Sequence, residues 1–143
     1  MLQLLLGATI LGCGFVGVYW PGPADSFLGI LGLLIAVAGI LLVVLGALSL
    51  GRSFTPLPRP RACTRLRQSG IFRLVRHPMY GGVILIGLGW SLAAAPLGLI
   101  PTALLVLLFD LKARREEAWL IERFPGYAAY RAGTPRRFVP WLY

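Results

Sequence analysis

Apolar positions run along this chain in long blocks separated by polar loops, not in alternation with polar positions. Met1–Trp20 is uncharged, a Pro21-Gly22-Pro23 turn with Asp25 follows, and Ser26–Leu50 is again uncharged. Residues 78–109 form a third block without a single charge. A helix crossing a bilayer takes about 20 residues, so the third block is too long for one crossing. It is split at Ala95-Pro96, with Pro101 beyond, because proline cannot continue the hydrogen-bond ladder and restrains the residue before it. The pattern predicts an all-α integral membrane protein, a single domain over residues 1–143. Four transmembrane helices are expected at about 2–20, 26–50, 79–94 and 97–111, followed by a cytoplasmic C-terminal helix and tail.

Composition agrees with this reading. The chain is 57% hydrophobic and 13% charged, about half the charge of an ordinary soluble domain, which argues against a soluble globule and against disorder. The formal charge of +9 raises the question of nucleic acid, but its placement argues otherwise. No Lys or Arg precedes Arg52, seven arginines fall between Arg52 and Arg76, and the other basic residues lie from Lys112 onward. Basic loops between apolar blocks follow the positive-inside rule, which puts both basic segments and both termini on the cytoplasmic side. The uncharged start of the chain does not fit a secretory signal, and Ile10-Leu11-Gly12-Cys13 lacks the basic start of a lipoprotein signal. Cys13 reads as a small buried residue and Cys63 as a reduced cytoplasmic thiol, so no disulfide is expected.

Small residues recur at helical spacing on the second span (Gly29, Gly32, Ala36, Gly39) and on the third (Gly82, Gly89, Ala93, with Ile86). Such stripes let helices approach closely in lipid, so these spans read as scaffold. Gly87-Leu88-Gly89 lacks the strand and length of a nucleotide-binding loop.

The chemistry is therefore expected in two polar stretches. The first is Arg73–Gly81, where His77, the only histidine in the chain, precedes Pro78. Proline suits the first turn of a helix, which puts His77 at a helix start where backbone N–H groups can hold an anionic group. One histidine cannot build a metal site without other ligands, and none is expected. Arg76 is open to pairing with lipid phosphate or with a substrate. The second stretch is Lys112–Phe124. Ala113, Glu117, Leu120, Ile121 and Phe124 share one helical face, so Glu117 sits within an apolar stripe, where an ionisable group points to function. Glu116 lies nearer Lys112 and can pair with it at i,i+4.

Arg76-His77-Pro78-x-Tyr80-x-Gly82, then Glu116-Glu117, then Phe124-x-Gly126-Tyr127-x-x-Tyr130 and Arg136-Arg137-Phe138-Val139-Pro140 together resemble the isoprenylcysteine carboxyl methyltransferase and phospholipid methyltransferase superfamily. The resemblance covers roughly residues 70–140. It implies an integral membrane enzyme that binds S-adenosylmethionine on the cytoplasmic side and methylates a lipophilic acceptor, either an isoprenylcysteine-like carboxylate or a lipid amine. It also implies His77, Pro78, Tyr80, Glu116, Glu117, Tyr127, Tyr130 and Arg137 as cofactor-binding residues, with Glu117, Arg76 and Lys112 as the catalytic set. Members acting on prenylcysteine commonly carry Arg where this chain has Lys112, and lysine lacks the bidentate fork that suits a carboxylate. Sterol-type NADPH reductases share a similar Arg-His-Pro-x-Tyr run, but continue with Gly-Glu where this chain has Gly81-Gly82. A non-catalytic scaffold holding anionic headgroups on its basic loops is the third reading. Partners are membrane lipids and the lipophilic substrate; the oligomeric state is left open.

Overall fold

The structure, a computed structural model, describes residues 1–16, 20, 24–50, 66 and 68–140. Five α-helices account for most of them, and no strand occurs among the described residues: α1 (Leu2–Cys13), α2 (Ala24–Leu50), α3 (Pro78–Ala94), α4 (Leu99–Arg123) and α5 (Tyr127–Gly133). Short 3-10 turns at Gly70–Arg73 and Pro96–Gly98 precede α3 and α4. The Pro21-Gly22-Pro23 turn, Cys63 and five of the seven loop arginines lie outside the described residues.

Two helical segments, Ser26–Leu50 and Pro96–Arg123, are long and apolar enough by themselves to cross a membrane; α1 and α3 are shorter apolar helices. The first expected span thus differs from its prediction. Twelve helical residues reach only about 18 Å, and α1 ends where Gly12 and Gly14 lower helix propensity. Described residues of the first block nevertheless meet both ends of α3. Gln3 near its start meets Lys112 at the end where α3 begins, and the Trp20 indole donates to the Leu92 carbonyl at the other end, 3.0 Å away.

Helices α2 and α3 form the main seam. A methyl group built on Gly39 would lie 2.6 Å from the Gly82 carbonyl oxygen, and one on Gly82 would lie 2.6 Å from that of Gly39. Gly32 and Gly89 face each other in the same way. The expected stripes therefore pack backbone to backbone, except for Gly29, which has nothing within 4 Å of such a methyl. The opposite side of α2 exposes Phe27, Ile30, Leu33, Leu34, Leu41 and Leu48, a surface suited to lipid tails.

One expectation on the fourth span changes. Pro101, inside the expected span, sits in the first turn of α4, where backbone N–H groups have no intrahelical partner to lose. The span and the glutamate-bearing helix are one continuous helix. Its far end is tied to α3 by two buried hydroxyls: Ser91 and Thr102 lie 3.1 Å apart, and with one proton apiece one donates to the other, which donates in turn to a carbonyl of its own segment, Gly87 for Ser91 or Gly98 for Thr102. The apolar core gathers Ile10 of α1, Leu105, Phe109 and Ala113 of α4, and Phe138.

Candidate functional site

The α4 residues Leu105, Phe109, Ala113 and Glu117 are all buried, a stripe at four-residue intervals that turns one helix face inward. The first three are apolar; the fourth is a carboxylate only 2% exposed. Such burial is tolerated only with cationic partners, and the fold delivers them from three segments. Glu117 Oε1 accepts from Arg76 Nε at 2.9 Å and lies 3.1 Å from His77 Nε2 and 3.4 Å from Arg137 Nε. Oε2 faces the half-exposed Arg131 at 3.7 Å.

Arg76 and His77 are placed by the approach to α3. Gly70 opens the 3-10 turn with φ at 65°, a left-handed conformation that favours glycine. His77 caps α3 in a non-helical conformation, and Pro78 takes the first helical position, as the sequence predicts. Residues 134–138 then lie across this approach as a strap. The Arg76 guanidinium donates to the Thr134 and Pro135 carbonyls at 2.6 and 2.7 Å. The Arg76 and His77 N–H groups donate to the carbonyls of Arg136 and Arg137. The Phe138 carbonyl sits against Gly81, where a side chain would collide with it.

Glu116 points to the other side of the imidazole. Its Oε1 accepts from the Tyr80 hydroxyl at 2.6 Å. Its Oε2 has His77 Nδ1 at 3.8 Å and accepts no hydrogen bond among the described residues, and the side chain is 19% exposed. Tyr80 is stacked between His77 and Phe109, with ring centroids 5.5 and 4.7 Å away.

The expected residues thus divide into groups. Arg76, His77, Tyr80, Glu116, Glu117 and Arg137 form one connected cluster. Arg76, expected to meet lipid phosphate or substrate, is instead buried and held by Glu117 and the strap carbonyls. Lys112, expected to pair with Glu116, donates to Gln3 Oε1 and lies over the Tyr80 ring. Pro78 is buried, and a methyl on Gly46 of α2 would lie 3.3 Å from its ring, so it faces the seam. Tyr127 and Tyr130 stand behind Arg76. Tyr127 is 2% exposed, and the Tyr130 hydroxyl donates to the Phe72 carbonyl at 2.6 Å. Burial pushes the Tyr130 phenol up to about 12 and raises Tyr127 as well, so both stay protonated. The Leu120, Ile121 and Phe124 end of the expected stripe is only partly covered, Ile121 being 41% exposed.

Sequence reasoning missed Asp110. It pairs with Arg137 and with Arg114, the latter at 2.6 Å, so Arg137 spans Asp110 and Glu117 along α4. The signal was present: Asp110 precedes Glu117 by seven residues, two helical turns on the same face. Gln3, Arg131 and the strap carbonyls were also missed. They meet the cluster only through tertiary folding.

Chemically, Glu117 is a committed counter-ion. The imidazole is occupied by Glu117 and stacked on Tyr80, so neither is placed as an open base. Glu116 keeps an acceptor oxygen for a ligand N–H or O–H. No group of three or more His, Cys, Asp or Glu able to hold a metal ion occurs among the described residues.

The family model described as phospholipid methyltransferase matches residues 27–126. No curated protein matches the chain.

Proposed function

The chain belongs to the phospholipid methyltransferase family, and from that premise we propose that it transfers a methyl group from S-adenosylmethionine to a lipophilic acceptor at the cytoplasmic face of a membrane. It is read as a single four-span domain over residues 1–143 with both termini on that face. Gln3 and the strap at residues 134–138 support this topology, because both meet the same end of the bundle as Glu116 and Glu117.

The single observation that carries the reading is the half-open carboxylate of Glu116 between His77 and Tyr80. It suits S-adenosylmethionine, which offers an ammonium and a ribose diol as donors. Glu116 Oε2 would accept from one of them, and the imidazole and phenol would flank it. Glu117, with both oxygens facing cations, would act at one remove by fixing His77. Arg131, half exposed, carries charge suited to the cofactor carboxylate. When bound, the cofactor supplies an electrophilic methyl group whose departure discharges a sulfonium. The residues around it then have to bind, orient and exclude water. With His77 and Glu117 mutually engaged, the acceptor best served is one that reaches the site as a nucleophile without surrendering a proton.

Calorimetry in detergent tests the reading. Binding of S-adenosylmethionine and not NADPH is the expected result. NADPH binding alone would return the reductase, and binding of neither would return the scaffold. Labelled methyl donor with a total lipid extract then identifies the acceptor.

A further inference from the structure

The cations around the site are of two kinds. Arg76, Arg131 and Arg137 face Glu117, while Arg114 and Arg137 face Asp110. Lys112, the only lysine in the chain, makes no ion pair with a carboxylate among the described residues. Its ammonium donates to Gln3 Oε1 at 3.1 Å and lies 5.0 Å from the centre of the Tyr80 ring. Gln3 is itself singular, the one polar side chain among the first eight residues. Packing brings it there, since Leu6 and Ile10, three and seven positions on, lie on the same stripe of α1 and join the core around Leu105 and Phe109.

With the Gln3 oxygen accepting from Lys112, the hydrogen-bonding capacity left on the pair is mostly donor: the other ammonium hydrogens and the amide NH₂, against one lone pair of the amide oxygen. A positive, donor-rich pair beside an apolar helix has its best complement in an oxygen anion, through charge-assisted hydrogen bonds. We propose that Gln3 and Lys112 form a subsite for the anionic oxygen of a lipid headgroup, carboxylate or phosphate. The site would then hold the cofactor on the Glu116 side of Tyr80 and the headgroup on the Lys112 side. This deepens the methyltransferase reading, on which it rests for the statement that the bound lipid is the acceptor.

The test uses the full chain in detergent and quenching of its tryptophan fluorescence by lipids with dibrominated chains. The probes are a fatty acid, phosphatidic acid and, as the uncharged reference, diacylglycerol. At least one anionic lipid is expected to bind about tenfold more tightly than diacylglycerol, the low end of one charge-assisted contact. Which of the two it is assigns carboxylate or phosphate. Gln3→Leu and Lys112→Gln should each reduce that preference to about twofold or less, and Lys112→Arg should retain it. Arg115→Gln, removing an exposed charge near Trp119, should leave it intact. Equal binding of all three lipids overturns the proposal, as does a preference unchanged in Gln3→Leu and Lys112→Gln, or one lost equally in Arg115→Gln. Displacement of the lipid by equimolar inorganic phosphate would assign the subsite to soluble anions and overturn the lipid claim. S-adenosylmethionine calorimetry on the same samples reports separately on the methyltransferase reading. Its failure with the lipid preference intact would remove that reading and leave the anion subsite standing.

Discussion

Gly81 and Gly82 are neighbours on α3 and serve opposite kinds of contact. Gly82 belongs to the seam with α2, where backbones touch and no charged group takes part. Gly81 belongs to the polar end, where the strap carbonyls close over Arg76 and His77. The seam depends on what is missing, side-chain volume, and asks little of residue chemistry. The polar end depends on what is present, a balanced set of charges, each of which is harmful if its partner is removed. The two regions should therefore fail differently under substitution.

The largest effect is expected at Glu117. Glu117→Ala leaves the Arg76 guanidinium buried without its counter-ion, a loss of about 3–5 kcal/mol, and thermal unfolding in detergent should show a markedly lower Tm. A Tm within a degree or two of wild type would show that the polar end is not held by this charge. Next comes the seam. Gly82→Val puts side-chain carbon against the Gly39 carbonyl and Val43, an overpacking cost of about 1–3 kcal/mol, read as a lower Tm with S-adenosylmethionine affinity retained in the folded fraction. Glu116→Gln reverses that signature. The fold should persist while affinity for S-adenosylmethionine falls about tenfold, or about 1.4 kcal/mol; unchanged calorimetric affinity would remove Glu116 from the cofactor side. Tyr130→Phe should be mildest, losing one hydrogen bond to Phe72 and about 0.5–1.5 kcal/mol, visible as a small Tm decrease.

The same division governs how much of the molecule was legible in the sequence. Apolar blocks and small-residue stripes are local patterns, so the all-helical fold, the α3 start at Pro78 and the close-packing faces of α2 and α3 could be read directly, though not that these two faces meet. Helix ends were harder. The expected fourth span stops at 111, where the apolar block ends, yet α4 runs on to Arg123, because lysine, arginine and glutamate are good helix formers. At the site, the burial of Glu117 followed from its stripe, but its partners did not. The i,i+4 spacing suggested a Lys112–Glu116 pair, whereas Tyr80 takes Glu116 and Gln3, 109 positions away, takes Lys112. The roles of Tyr127 and Tyr130 could not be read locally either, because which side of Arg76 they occupy is decided by α5 and the strap.

The unbroken α4 has a geometric consequence. It is fastened by Thr102 at one end and delivers Glu116 and Glu117 at the other, with no loop between them to absorb an error of length. Each residue of α-helix advances about 1.5 Å and turns about 100°. One residue inserted between the hydroxyl clamp and Asp110 would swing all three acids off their partners together. The count of residues in that rod is thus a ruler, and it sets axial position and side-chain direction in a single number.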